Sequence, residues 1–163
     1  MVESQNRAPV GHDRQSRARK PRILVIEDNT DDERLIIRAI ERMKERMDIE
    51  IVRDGQSAID HLCGNGRGKR LPDLVVLDWK LPLVAGAEIL ERIRATKRCK
   101  GVVVVAFSSS DMEHDHAECH RLGGNGFVTK PIDYDAFMNA VQDLVANFVP
   151  SPPAAQKNAL LEM

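Results

Sequence analysis

The chain lacks net charge: 24 Lys and Arg stand against 25 Asp and Glu, leaving −1 over 163 residues. Recruitment to nucleic acid or to a membrane by the field of the whole molecule is therefore excluded as an expectation. Long apolar runs are also missing. The longest, Val102 to Phe107, is far too short to span a bilayer. The N-terminus is polar and has no secretory apolar segment. Cysteine is scarce, with Cys63, Cys99 and Cys119 at wide, odd spacing that fits neither a disulfide framework nor a zinc ribbon. A reducing cytoplasm is the expected compartment. No period of about 20–50 residues repeats, so a solenoid is not expected. What remains is ordinary for a globular protein, 42% apolar and 30% charged, in a length that suits one compact domain with short tails.

Residues 1–21 are polar and locally basic (Arg14, Arg17, Arg19, Lys20) without an apolar period, and read as a disordered arm. The segment from Pro150, with Pro152-Pro153, reads as a flexible tail. Between them, over 22–149, strand and helix patterns alternate. Ile23 to Ile26 is a fully apolar run, as expected of a strand buried on both faces. Thr30-Asp31-Asp32-Glu33 has the form of a capping box, opening a helix with Leu35, Ile36, Ala39, Ile40 and Met43 on one stripe. Glu50 to Val52 predicts a second strand and Gln56 to Leu62 a short helix. A glycine-rich loop, Gly64 to Arg70, follows. Leu74 to Leu77 is a third strand, and Ala87 to Thr96 a helix with Leu90 and Ile93 inward. Val102 to Phe107 is a fourth strand, Asp111 to Leu122 a helix entered at Ser110, and Gly126 to Val128 a fifth strand. Asp133 caps a last helix with Phe137, Val141, Leu144, Val145 and Phe148 on its stripe. This order predicts an α/β fold, a doubly wound five-stranded parallel sheet with helices on both faces.

In such a sheet the site lies beyond the carboxyl ends of the strands. There the sequence places Glu27-Asp28, Asp78, Ser108-Ser109-Ser110 and Thr129-Lys130-Pro131. Each has a plain structural explanation when taken alone. The acidic pair could serve a helix N-terminus, Asp78 could end a strand, the serines could enter a helix, and Lys130-Pro131 could be a turn. Their joint occurrence at successive strand ends is harder to explain that way. Three carboxylates brought together repel, and a hard divalent cation such as Mg²⁺ relieves the repulsion. With the Lys130 ammonium and the Ser108 hydroxyl they would form an electrostatic cradle for a phosphoryl group passing to an aspartate.

ILVIEDN (23–29), DLVVLDWKLPLVAG (73–86), VVVVAFSSS (102–110) and GNGFVTKPID (124–133) together resemble the response-regulator receiver family over about residues 21–149. The resemblance implies the flavodoxin-like (βα)5 receiver fold and a phosphoryl group accepted on Asp78 from a sensor histidine kinase. It also implies Mg²⁺ held by Glu27, Asp28, Asp78 and the backbone carbonyl of Lys80. Ser108 matches the family's switch hydroxyl, Phe127 its switch aromatic and Lys130 its phosphate-binding lysine. A cis Lys130–Pro131 peptide is implied as well. Phosphorylation should draw Ser108 inward, let Phe127 follow, and alter the face made by the 111–122 helix, the fifth strand and the last helix. That face would serve partner binding or a homodimer. The style of the chain, with no DNA-binding domain after residue 149, is similar to single-domain receivers that partner phytochrome-type kinases. A histidine phosphotransfer protein is a second partner to consider.

The chain departs from the family pattern at Lys80, where a small polar residue is common, at Ala85, and at Ser108, which lacks the methyl of threonine. Lys80 is expected to alter the lifetime of phospho-Asp78. Three other readings compete. An aspartyl-nucleophile phosphatase of the haloacid-dehalogenase type would want an acid two residues after Asp78, where Lys80 stands. A transition metal could be held by His114, His116, Cys119 and His120. A docking module could use the same face without phosphorylation. The acidic set and Lys130 favour the phospho-accepting reading, which makes the chain a signalling domain with slow self-dephosphorylation rather than an enzyme with turnover.

Overall fold

The computed structural model describes residues 19–64 and 69–150. The expectations for most of the N-terminal arm, the middle of the glycine-rich loop and the C-terminal tail lie outside the described residues. Ten elements alternate: β1 (Arg22–Ile26), α1 (Thr30–Glu41), β2 (Asp48–Val52), α2 (Gly55–Cys63), β3 (Leu74–Leu77), α3 (Gly86–Ala95), β4 (Val104–Ser108), α4 (Glu113–Arg121), β5 (Gly126–Thr129) and α5 (Tyr134–Phe148). The five strands form one parallel sheet in the order β2-β1-β3-β4-β5.

The apolar runs of β1, β3 and β4 are buried because each strand has helices on both sides. Successive residues point to opposite faces. Ile23 and Val25 join Ile36, Ala39, Phe137, Val141 and Leu144 under α1 and α5. Leu24 and Ile26 join Ala58, Leu62, Ile89, Leu90 and Ile93 under α2 and α3. The strand order reverses between β1 and β3, the switch point beyond which a ligand crevice opens.

Helix starts differ in detail from the sequence reading. Asn29, rather than Thr30, caps α1. Its side chain accepts from the Asp31 and Asp32 amides at 2.9 and 3.1 Å. The reciprocal half of a capping box is absent because Glu33 instead takes a two-pronged bond from Arg53, at 2.9 Å on each oxygen. At α4 the N-cap is Met112, with no side-chain cap bond, so Ser110 is not the cap. Asp133 caps α5 as expected, accepting from the Ala136 amide at 2.9 Å. Gly86 lets α3 start directly against the turn that follows β3: a Cβ there would lie 2.8 Å from the Trp79 Cα. The Lys130–Pro131 peptide is trans, since the described residues contain no cis bond. The trans isomer is intrinsically favoured by about 0.5–1 kcal/mol at X–Pro bonds, and Lys130 reaches its partners from it. Cys63, Cys99 and Cys119 are free thiols.

Candidate functional site

The loops after β1, β3, β4 and β5 meet at the carboxyl edge of the sheet. β1 ends at Ile26, so Glu27 and Asp28 leave the sheet on adjacent turns before Asn29 starts α1. Glu27 turns inward and is 1% exposed, while Asp28 faces solvent. Asp78 follows β3 directly, and its amide still donates to the Ile26 carbonyl at 3.0 Å, which fixes β1 and β3 side by side at the site. One carboxylate oxygen from each of Glu27, Asp28 and Asp78 lies within 4.8 Å of the others.

Lys130 enters from the end of β5, where its amide donates to the Ser108 carbonyl at 2.7 Å. Its ammonium lies 2.8 Å from Glu27 Oε2, 2.9 Å from Asp32 Oδ2 and 3.5 Å from Asp78 Oδ2. Asp32 was not singled out from the sequence. In the acidic run 31–33 it looks like helix-start charge, and only the tertiary approach of Lys130 gives it another part. The Glu27 carboxyl is pushed up to about 7 by burial, with the Asp78 charge adding to this and the Lys130 bond opposing it. Burial pulls Lys130 down, but its bonds to Glu27 and Asp32 and the charges of Asp78 and Glu27 outweigh that and hold it above an ordinary lysine.

The donors are all oxygens, two of the three carboxylates are buried, and a neighbouring negative charge helps push one of them out of its normal range. That is the environment a hard divalent cation relieves, and the residues fit Mg²⁺.

Ser108 is the last residue of β4 and fully buried, and the Ser110 amide donates to its hydroxyl at 3.4 Å. Phe127 on β5 is half-buried between two rings the sequence reading did not connect to it. Trp79 meets it edge-on with centroids 6.0 Å apart, and His116 tilts over it at 4.0 Å. No local pattern reveals these contacts, because they join the β3–α3 loop, α4 and β5. Lys80 keeps its amide on Asp78 Oδ1 at 3.2 Å and sends its ammonium to Asp115 on α4 at 2.9 Å.

The four residues weighed as a transition-metal set do not converge. His116 lies on Phe127, and Cys119 is buried with its thiol on the Gly126 carbonyl at 3.8 Å. The ligand atoms that approach one another on α4 belong to His114, Asp115 and Glu118, and Asp115 is already held by Lys80 and Ser110. His61 lies 3.2 Å from Glu50 at the other end of the sheet.

A doubly wound parallel sheet with an acidic triad and a buried lysine at its switch point defines an α/β fold whose carboxyl edge suits a divalent cation. The response regulator receiver domain family matches residues 23–142, and the chain belongs to that family. It is thus a receiver domain of two-component signalling. It is 34% identical over 123 residues to the probable methanogenesis regulatory protein FilR2 of Methanothrix harundinacea, covering 75% of this chain and 79% of that one. The crystal structure of the phosphorylated cyanobacterial phytochrome response regulator RcpA superposes with a TM-score of 0.76 at 29% identity, over 83% of this chain and 99% of that chain. The Mn²⁺-bound form of response regulator Rcp1, a protein of Synechocystis sp., does so with a TM-score of 0.75 at 27% identity, over 82% and 99%. Within the family, the chain is therefore similar to phytochrome response regulators. Among the described residues no helix is long and apolar enough to cross a membrane.

Proposed function

We propose that the chain accepts a phosphoryl group from a sensor histidine kinase onto Asp78 and converts that event into a change at the face formed by α4, β5 and α5. The observation that carries this reading is the convergence on Asp78: two further carboxylates within ligand reach and the Lys130 ammonium at 3.5 Å. An Asp78 oxygen attacks phosphorus, the bond from phosphorus to the kinase imidazole breaks, and an acyl phosphate forms. Lys130 already faces the Asp78 carboxylate and so meets charge that develops on the transferring oxygens. Glu27, Asp28, Asp78 and the Lys80 carbonyl would hold Mg²⁺, which supplies further neutralisation of those oxygens. Metal bound to the related Rcp1 supports this choice of ion class.

After transfer, Ser108 is the hydroxyl placed to donate to the phosphoryl group. Its movement would leave room for Phe127, which is only half-buried and would turn further in. The two arrangements pre-exist and the phosphoryl group shifts their populations. The likeness to the phytochrome response regulator RcpA favours a kinase of the phytochrome type. A homodimer through the same face, or onward transfer to a histidine phosphotransfer protein, fits the reading. The residues 22–149 act as the receiver unit.

The test is phosphorylation by acetyl phosphate with Mg²⁺, followed by gel retardation of the phosphorylated form. Wild type is expected to be modified, EDTA to stop it, and Asp78→Asn to reduce it at least about 100-fold. Equal modification of Asp78→Asn would remove Asp78 from its role.

A further inference from the structure

Lys80 is bonded at both ends. Its amide donates to Asp78 Oδ1 at 3.2 Å, and its ammonium lies 2.9 Å from Asp115 Oδ2 on the first turn of α4. The Ser110 hydroxyl donates to that same Asp115 oxygen, and His114 Nδ1 lies 3.7 Å from the other. The Asp115 side chain is 7% exposed, whereas that of Lys80 is 53% exposed. Asp115 is therefore a fixed, desolvated anchor, and Lys80 is a half-free tether running from the phospho-acceptor loop to α4.

Apolar burial contributes little at that end of α4, and the further polar contacts are long ones: the Met112 amide donates to the Ser110 hydroxyl at 3.3 Å, and the Thr129 hydroxyl lies 3.5 Å from His116 Nε2. Met112 offers no side-chain cap, and Asp115 and Cys119 are the buried residues of the helix. The residues next to Lys80 and Asp115 make a second contact alongside, Trp79 against Phe127 and Phe127 against His116.

We propose that Asp115 is a positioning residue that holds the Lys80 ammonium on α4, and that a phosphoryl group on Asp78 competes with it for that ammonium and so loosens the first turn of α4. The inference rests on Asp78 being the acceptor. A phosphoryl group brings about one further negative charge and new acceptor oxygens, attached to the carboxylate that Lys80 already touches through its backbone. The lysine stem is long and its ammonium is a point charge without fixed geometry, so it can exchange one anion for another. Asp115 keeps its Ser110 bond when Lys80 leaves, so it is not stranded as a bare buried charge.

The experiment uses the full chain with Mg²⁺ and beryllofluoride as the phosphoryl mimic. The readouts are affinity and amide exchange in residues 112–117, measured for wild type, Lys80→Met, Asp115→Asn and the double variant. Freeing Lys80 by Asp115→Asn is expected to tighten beryllofluoride binding roughly two- to fivefold, the upper part of the range of a partly exposed ion pair. Lys80→Met should abolish that gain, so that the double variant binds like Lys80→Met. Asp115→Glu should restore wild-type affinity. Beryllofluoride should raise exchange at 112–117 in wild type and leave it unchanged in Lys80→Met.

Unchanged affinity in Asp115→Asn, or an equal gain with and without Lys80, overturns the inference while leaving Asp78 as acceptor. If acetyl phosphate fails to modify wild type and beryllofluoride binds none of the four proteins, the acceptor reading falls and this inference with it.

Discussion

The helices α4 and α5 flank the same strand, yet they are attached by different physics. α5 sets Phe137, Met138, Val141, Leu144 and Val145 into the core and is closed at its start by Asp133. α4 buries one apolar side chain, Cys119, together with the Asp115 carboxylate, and starts at Met112 without a side-chain cap. Apolar burial is indifferent to what happens at Asp78. A charged contact such as Lys80–Asp115 can be contested by new charge nearby. The comparison therefore assigns the rigid role to α5 and the responsive role to α4, although both border the face proposed to carry the output.

The largest way to test that contrast is to damage the anchored helix. Phe137 lies under α5 and meets Phe107 edge-on, with ring centroids 5.1 Å apart. Phe137→Ala leaves a cavity at the centre of one core layer and should cost about 3–5 kcal/mol in urea unfolding. A loss under about 1 kcal/mol would mean that α5 is not held by its apolar stripe.

The responsive helix has a built-in probe. Burial pushes both Cys99 and Cys119 up, so neither reacts readily from the closed state. A difference in alkylation rate then reports local opening. The Cys63 and Cys99 sulfurs lie 3.3 Å apart, so the measurement belongs in a Cys63→Ser background. Cys119 should label at least about tenfold faster than Cys99, a gap of about 1.4 kcal/mol in opening free energy. Labelling of Cys119 at or below the rate of Cys99 would show α4 to be as firmly closed as the core.

The same contrast explains what could be read from the sequence. The strands and α5 follow from apolar period, and the observed Leu74–Leu77, Asp133 and Phe137 to Val145 lie where that period puts them. The meeting of Glu27, Asp28, Asp78 and Lys130 was legible too, because parallel strands deliver their carboxyl ends to one edge by topology alone. Contacts made by long side chains between loops were not legible. Asp32 on Lys130, Lys80 on Asp115 and His116 over Phe127 depend on tertiary direction, which no spacing encodes. The start of α1 at Asn29 shows the same limit on a smaller scale. Thr30 and Glu33 had the right spacing, but Arg53, twenty residues away, claimed Glu33.

The smallest effect concerns the helix starts themselves and is reciprocal. Asp133 accepts from the Ala136 amide, so Asp133→Ala leaves an amide of the first turn of α5 without that bond and should cost about 1 kcal/mol. Met112 is 61% exposed and occupies the equivalent place on α4, so Met112→Ser adds a hydroxyl where none caps the helix, with little apolar burial to lose. It should gain about 0.5–1 kcal/mol locally, read as slower labelling of Cys119 with global unfolding nearly unchanged. The two substitutions thus act on different observables. A cap lost from α5 shifts the whole transition because that helix unfolds with the core. A cap added to α4 shifts only the opening of that helix. If Met112→Ser instead raised the global midpoint as much as Asp133→Ala lowers it, the two helices would belong to one cooperative unit, and the division of labour between them would have to be abandoned.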